Sequence, residues 1–139
     1  ACWPGAGHES TPYVVCTGGE PLLQLDGPAI EALHNEGFEI AVETNGTIKA
    51  PAGIDWLCVS PKGVADLTQI SGDELKLVYP QPEAEAQPEN FTNLDFKLFF
   101  LQPLDDTDRD ANTRQAIDYC LQHPAWQLSV QTHKLIGIP

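Results

Sequence analysis

The chain has 139 residues, with 7 basic side chains against 20 acidic ones, a formal net charge of −13 and a pI near 4.3. That length supports a single domain, 1–139, with its own core, and the charge argues against nonspecific binding to nucleic acid or to an anionic membrane surface. No apolar run approaches the roughly 20 residues that cross a bilayer, and no secretory signal opens the chain; the expectation is a cytoplasmic protein with no nucleic-acid and no membrane partner.

The chain opens on Ala1-Cys2-Trp3-Pro4-Gly5, which reads as the end of a helix, and Gly5 to Pro12 reads as a loop. It holds no Met, so the expectation is that the amino-terminal part of a longer protein is missing. Tyr13 to Cys16 is a compact aromatic and β-branched run that predicts a strand buried on both faces. Gly18-Gly19 allows a sharp turn and close approach of a ligand, and Pro21 suits the first turn of a helix. Glu20 in that turn points to a cationic group, such as an amine, rather than to a phosphate.

Ala29 to Glu36 predicts a helix with Ile30, Leu33 and His34 on one face and Gly37 as its C-cap. Strands are predicted over Glu39 to Glu43, Asp55 to Val59, Glu74 to Tyr79, Lys97 to Leu101 and Gln127 to Val130. Asn45-Gly46 reads as a polar strand-end loop rather than a hairpin turn. Glu83 to Glu89, acidic and flanked by Pro, predicts a solvated linker. Asn112 to His123 predicts a helix with Ala116, Ile117, Cys120 and Leu121 inward. Strands joined by crossovers assemble as a parallel sheet, so the fold class is α/β, an open or partial (β/α) barrel.

The runs share a feature at their carboxyl ends. Thr17 and Glu20, Thr44 and Asn45, Ser60 and Lys62, Gln102 and Asp105, and Gln131 and His133 each follow an apolar strand. In a parallel barrel these positions gather at one edge, where active sites form. Ser60-Pro61-Lys62 and Gln102-Pro103-Leu104-Asp105 add a proline that fixes the backbone where a side chain must be aimed. Taken singly, Lys62 reads more often as a solvated surface lysine than as a holder of carboxylate or phosphate, and His133 equally as a structural histidine and as a ligand contact or proton carrier. Cys2, Cys16, Cys58 and Cys120 lack metal-site spacing and read as buried free thiols. The residues alone predict binding of a polar, amine-bearing small molecule at a barrel mouth.

Six segments together resemble the 7-carboxy-7-deazaguanine synthase family: Cys16 to Leu23, Glu43 to Thr47, Val59 to Lys62, Asp73 to Val78, Phe100 to Asp105, and Leu128 to Lys134. The resemblance covers nearly the whole chain in order. It implies a modified partial (β/α) barrel of the radical S-adenosylmethionine type, here missing its amino-terminal strand. It implies conversion of 6-carboxy-5,6,7,8-tetrahydropterin to 7-carboxy-7-deazaguanine with loss of ammonia, on the route to queuosine, using S-adenosylmethionine, a 4Fe-4S cluster and Mg2+.

Position by position, the resemblance puts S-adenosylmethionine against Gly19, Glu20, Ser60, Pro61, Lys62, Gln102, Pro103, Leu104 and Asp105. It puts the pterin against Thr17, His133 and the carboxyl-terminal Pro139. It further implies an external electron donor such as flavodoxin, and a homodimer, since the family is often dimeric. The family's cluster ligands, Cys-x3-Cys-x2-Cys, have no counterpart in this sequence. The expectation is a carboxyl-terminal portion that by itself holds no cluster and is inactive. The alternatives are another radical S-adenosylmethionine enzyme, such as an activase, and a non-catalytic nucleoside-binding module.

Overall fold

Short β-branched and aromatic runs separated by polar turns give this chain six strands: β1 Tyr13–Cys16, β2 Glu39–Thr44, β3 Trp56–Val59, β4 Ser71–Tyr79, β5 Asp95–Pro103 and β6 Trp126–Leu128. The structure is a computed structural model and describes residues 11–138. Cys2, the Ala1-to-Gly5 helix end, most of the Gly5-to-Pro12 loop and Pro139 lie outside the described residues. The six strands form one sheet in sequential order, β1 to β6, and every pairing is parallel. Placing each strand beside its predecessor is the order of a (β/α) barrel, so the α/β partial-barrel expectation holds.

Three helices accompany the sheet: α1 Gly27–Asn35, α2 Arg109–Gln122 and α3 Thr132–Leu135. α1 starts where the Asp26 side chain accepts the Ala29 amide at 3.0 Å. It ends in a Schellman motif: the Gly37 amide donates to the His34 carbonyl at 2.9 Å and the Phe38 amide to the Leu33 carbonyl at 3.1 Å, with Gly37 at φ +82°.

Parallel register gives each row of side chains one face. Val59, Leu75, Phe99 and Trp126 form one row, and Leu77, Leu101 and Leu128 the next. Val59, Leu75 and Leu101 are 0% exposed, and Ile30 of α1 and Ala116 of α2 pack into the same cluster. Each such side chain contributes about 1.5–3 kcal/mol of transfer free energy. This face is the core.

Several sequence expectations change here. β1 is not buried on both faces: Tyr13 and Val15 are 44% and 48% exposed, on the face opposite the core. The helix expected at Pro21 is a single 3-10 turn, Pro21–Leu23. On α1, where Ile30 packs into the core, His34 pairs with Asp55 at 2.9 Å. Asp55 lies just before β3 and also accepts the Ile40 amide at 2.8 Å. α2 is rotated from the expected orientation: Asn112 and Ala116 are buried, while Leu121 is 76% exposed and Ile117 is exposed too. The segment 83–89 is not a solvated linker. Its glutamates face water, but two 3-10 turns bury Ala86 and Pro88. Of the three cysteines within the described residues, only Cys58 is fully buried.

Candidate functional site along the carboxyl edge of the sheet

β1 ends at Cys16 and the chain turns on two successive left-handed glycines, Gly18 at φ +85° and Gly19 at φ +56°. Side chains rarely adopt that backbone, and the space where each Cβ would stand is open. Glu20 follows and ties three segments together. Its Oε1 accepts the Leu22 amide at 3.1 Å and the Thr44 hydroxyl at 2.7 Å, and its Oε2 accepts the Asn45 amide at 2.8 Å. A carboxylate offers about four lone-pair positions. One acceptor position on Oε2 is left, beside a cavity of about 480 Å³ lined by Thr17, Gly18, Gly19 and Glu20. An anionic, rigidly held acceptor at an open backbone turn suits an ammonium group.

The neighbouring strand ends are braced against this turn. Thr44, 2% exposed, receives the Gly46 amide on its hydroxyl at 3.1 Å and the Ser60 amide on its carbonyl at 2.8 Å. The Asn45 side chain accepts the Thr47 amide at 2.9 Å, closing the polar loop in place of a hairpin. Pro61 is buried, and Lys62 turns back to donate to the Ser60 hydroxyl at 3.2 Å. Thr17, Gly19, Glu20, Ser60, Pro61 and Lys62 are thus brought to one stretch of edge.

Gln102, Pro103, Leu104 and Asp105 stand further along it, at the end of β5. The buried Asn112 of α2 holds this loop, donating to the Leu104 carbonyl at 3.0 Å and to Asp106 at 2.8 Å. Asp105 accepts a hydrogen bond from Lys134 of α3, which holds its carboxyl below the usual range. Gln102, Asp105, Arg109, Arg114 and Lys134 line a cavity of about 380 Å³. His133 is exposed on α3, next to Lys134.

The sequence reading missed a polar row on the sheet face opposite the core. Glu43, Cys58, Glu74 and Leu98 are register partners across β2 to β5, with Lys76 and Phe100 in the next row. The Lys76 ammonium lies 2.9 Å from Glu43 Oε1 and 4.0 Å from Glu74 Oε1. The Thr17 hydroxyl donates to Glu43 Oε2 at 3.4 Å, and the Cys58 thiol to Glu74 Oε1 at 3.5 Å. Burial, with Glu74 and Glu43 adding to it, pushes the Cys58 thiol up to about 12, so it stays neutral. Burial alone would pull Lys76 down; the Glu43 hydrogen bond and the two carboxylates outweigh it and hold the ammonium above its ordinary value. A signal was available. Strands of a parallel sheet read as nearly continuous apolar runs, yet Glu39-Ile-Ala-Val-Glu43 and Glu74-Leu-Lys76-Leu place charges at alternate positions.

Among the described residues the three thiols do not fit an iron–sulfur cluster. By register Cys16 faces the core, Cys58 faces the other side, and Cys120 is on α2. Among the described residues no group of three or more His, Cys, Asp or Glu side chains could hold a metal ion, and no helix is long and apolar enough to cross a membrane.

No protein-family profile matches the chain. Over 139 residues it is 63% identical to the 7-carboxy-7-deazaguanine synthase of Caulobacter vibrioides, covering 100% of this chain and 64% of the relative. It is 58% identical to that of Bordetella pertussis, with the same coverage. The crystal structure of QueE from Escherichia coli superposes with a TM-score of 0.67 at 28% identity, covering 86% of this chain and 56% of that one. The chain therefore spans less than two thirds of the length of these proteins. Along its whole length, the chain is thus similar to under two thirds of a 7-carboxy-7-deazaguanine synthase, on the fold that QueE adopts.

Proposed function

We propose that this chain is the part of a 7-carboxy-7-deazaguanine synthase that holds S-adenosylmethionine and one side of the pterin site. The reaction is ring contraction of 6-carboxy-5,6,7,8-tetrahydropterin to 7-carboxy-7-deazaguanine with loss of ammonia, a carbon–nitrogen lyase step toward queuosine. The residues present fit the cofactor's amino-acid end: an open double-glycine turn and a carboxylate with one acceptor position left. When bound, S-adenosylmethionine with a 4Fe-4S cluster supplies hydrogen-atom abstraction, with Mg2+ assisting; the cysteines described here do not fit the cluster, so these residues contribute no ligand to it.

The chain's own residues bind and orient. Glu20 and Gly19 take the methionyl ammonium. Ser60, Pro61 and Lys62 form a second wall, and Gln102, Pro103, Leu104 and Asp105 a third. Thr17 reaches the pterin, with His133 and Pro139 at its far side. Glu43, exposed and next to Thr17, accepts from the pterin's N–H groups. The same reading implies a cytoplasmic homodimer supplied with electrons by a donor such as flavodoxin, and no turnover by these 139 residues alone. The protein's part is placement and exclusion of water, while the cofactors bring the reactivity.

The observation that carries this is the Glu20 carboxylate, fixed by three hydrogen bonds with one oxygen still able to accept. Glu20→Gln in the full-length protein tests it by calorimetric titration with S-adenosylmethionine. A charged hydrogen bond is worth about 1.5–3 kcal/mol, so binding weakens by about 10–100-fold. Equal affinity in the folded variant overturns the assignment.

A further inference from the structure

Glu43 has its two oxygens in different situations. Oε1 is held by the Lys76 ammonium at 2.9 Å, while Oε2 has only the long 3.4 Å contact from Thr17. The row is graded in exposure: the Lys76 and Glu74 side chains are 18% exposed, Glu43 43%. The outermost carboxylate can therefore meet a ligand, and the cation behind it cannot. We propose that Lys76 is a positioning residue of the pterin site: clamped between Glu43 and Glu74, it holds Glu43 turned so that Oε2 accepts from the N–H edge of the substrate. This rests on the proposed function and deepens it.

The charge arrangement explains why a lysine is needed. Two carboxylates on one sheet face repel, and the ammonium between them holds Glu43 in one orientation. Among the described residues, the other groups facing this row supply no substitute cation. Thr17 comes from the end of β1, the neutral Cys58 thiol from β3, and Leu98 and Phe100 from β5. Tyr13 on β1 is kept neutral by burial and by nearby carboxylates. Two carboxylates and one ammonium leave a net negative charge, which suits a donor-rich heterocycle rather than an anion.

The test uses the full-length protein with Lys76→Gln and Lys76→Arg, and two readouts. The first is the crystal structure of each variant: in Lys76→Gln the Glu43 carboxylate leaves the orientation that frees Oε2, and in Lys76→Arg it returns. The second is turnover of 6-carboxy-5,6,7,8-tetrahydropterin. In Lys76→Gln, KM rises about tenfold with kcat little changed; Lys76→Arg restores it. An unmoved Glu43 carboxylate in folded Lys76→Gln overturns the proposal, as does a moved one with unchanged KM. Should Lys76→Gln not fold, Lys76→Met, similar in length and uncharged, takes its place. If the unsubstituted protein leaves the pterin untouched, the proposed function fails, and the orientation of Glu43 alone decides the role of Lys76.

Discussion

The two faces of this sheet are made by the same strands and obey opposite rules. On the face that meets α1 and α2, Val42, Val59, Leu75 and Leu101 are fully buried and no charged side chain stands among them. On the other, Glu43, Glu74 and Lys76 sit within strands that a parallel sheet ordinarily fills with apolar residues. The first face supplies free energy of folding through removal of apolar area from water. The second retains charge, at a desolvation cost that folding alone would not select. Charge placed at alternate positions in parallel strands therefore marks the face opposite the apolar core.

The sharpest test of that difference is truncation on each face. Leu75→Ala, at a 0% exposed site, is expected to cost about 2–5 kcal/mol in urea unfolding. Val15→Ala, on the open face at 48% exposure, should stay within about 1 kcal/mol. Similar losses at both would mean that the open face is covered by packing of its own.

A smaller effect is expected where the site is braced against the core. Gly46, at φ +80°, has the Leu67 Cδ1 only 2.4 Å and the Val59 Cγ1 2.7 Å from where a Cβ would stand. Gly46→Ala combines left-handed backbone strain with overpacking, together about 2–3 kcal/mol of stability. Because the Gly46 carbonyl also receives the Thr68 and Gln69 amides, each at 2.9 Å, the same variant should loosen the segment beyond Ser60, read as faster amide exchange there. A neutral Gly46→Ala would show that this loop yields freely.

The smallest effect comes from the amino-terminal end of β4, away from the site. Asp73 accepts the Leu57 amide at 2.8 Å and Lys97 at 2.6 Å. Burial pushes its carboxyl up, but the Lys97 hydrogen bond and then the Leu57 amide outweigh this and hold it below its ordinary 3.8. A depressed folded value means that the stabilisation is present above 3.8 and is lost as pH falls through the folded value. The stability gap between wild type and Asp73→Asn should therefore be widest near neutrality and close in acid. A gap independent of pH would assign Asp73 no electrostatic role.

The parts of the fold that were legible are those set by neighbours in sequence. Tyr13 to Cys16 formed a strand over those same residues, and Gly37 closed α1 because only glycine adopts that turn cheaply. The errors were of orientation. Ile117 and Leu121 lie on one helical stripe with Ala116 nearby, and periodicity alone favours burying the larger side chains. The sheet instead receives Ala116 and Asn112, since Asn112 must reach the Leu104 carbonyl and a small residue lets the helix approach. In 83–89 the acidic composition was visible, but Ala86 and Pro88 as the buried contacts were not. The candidate site was legible as a set of strand ends; the alternating Glu74 and Lys76 were visible on one strand, but that Glu43 joins them was not, because only register across β3 brings β2 beside β4.

The sequence by itself determined the parallel α/β class, the double-glycine turn before Glu20, and the gathering of polar strand ends at one edge. Those follow from local propensity and from chain connectivity, which leave parallel strands few other arrangements. Only the tertiary structure decided that Glu20 shares its carboxylate between Thr44 and Asn45, and that Lys76 is clamped between Glu43 and Glu74. Those contacts join residues more than twenty positions apart or depend on a neighbouring strand, and strand register alone fixes which charges meet.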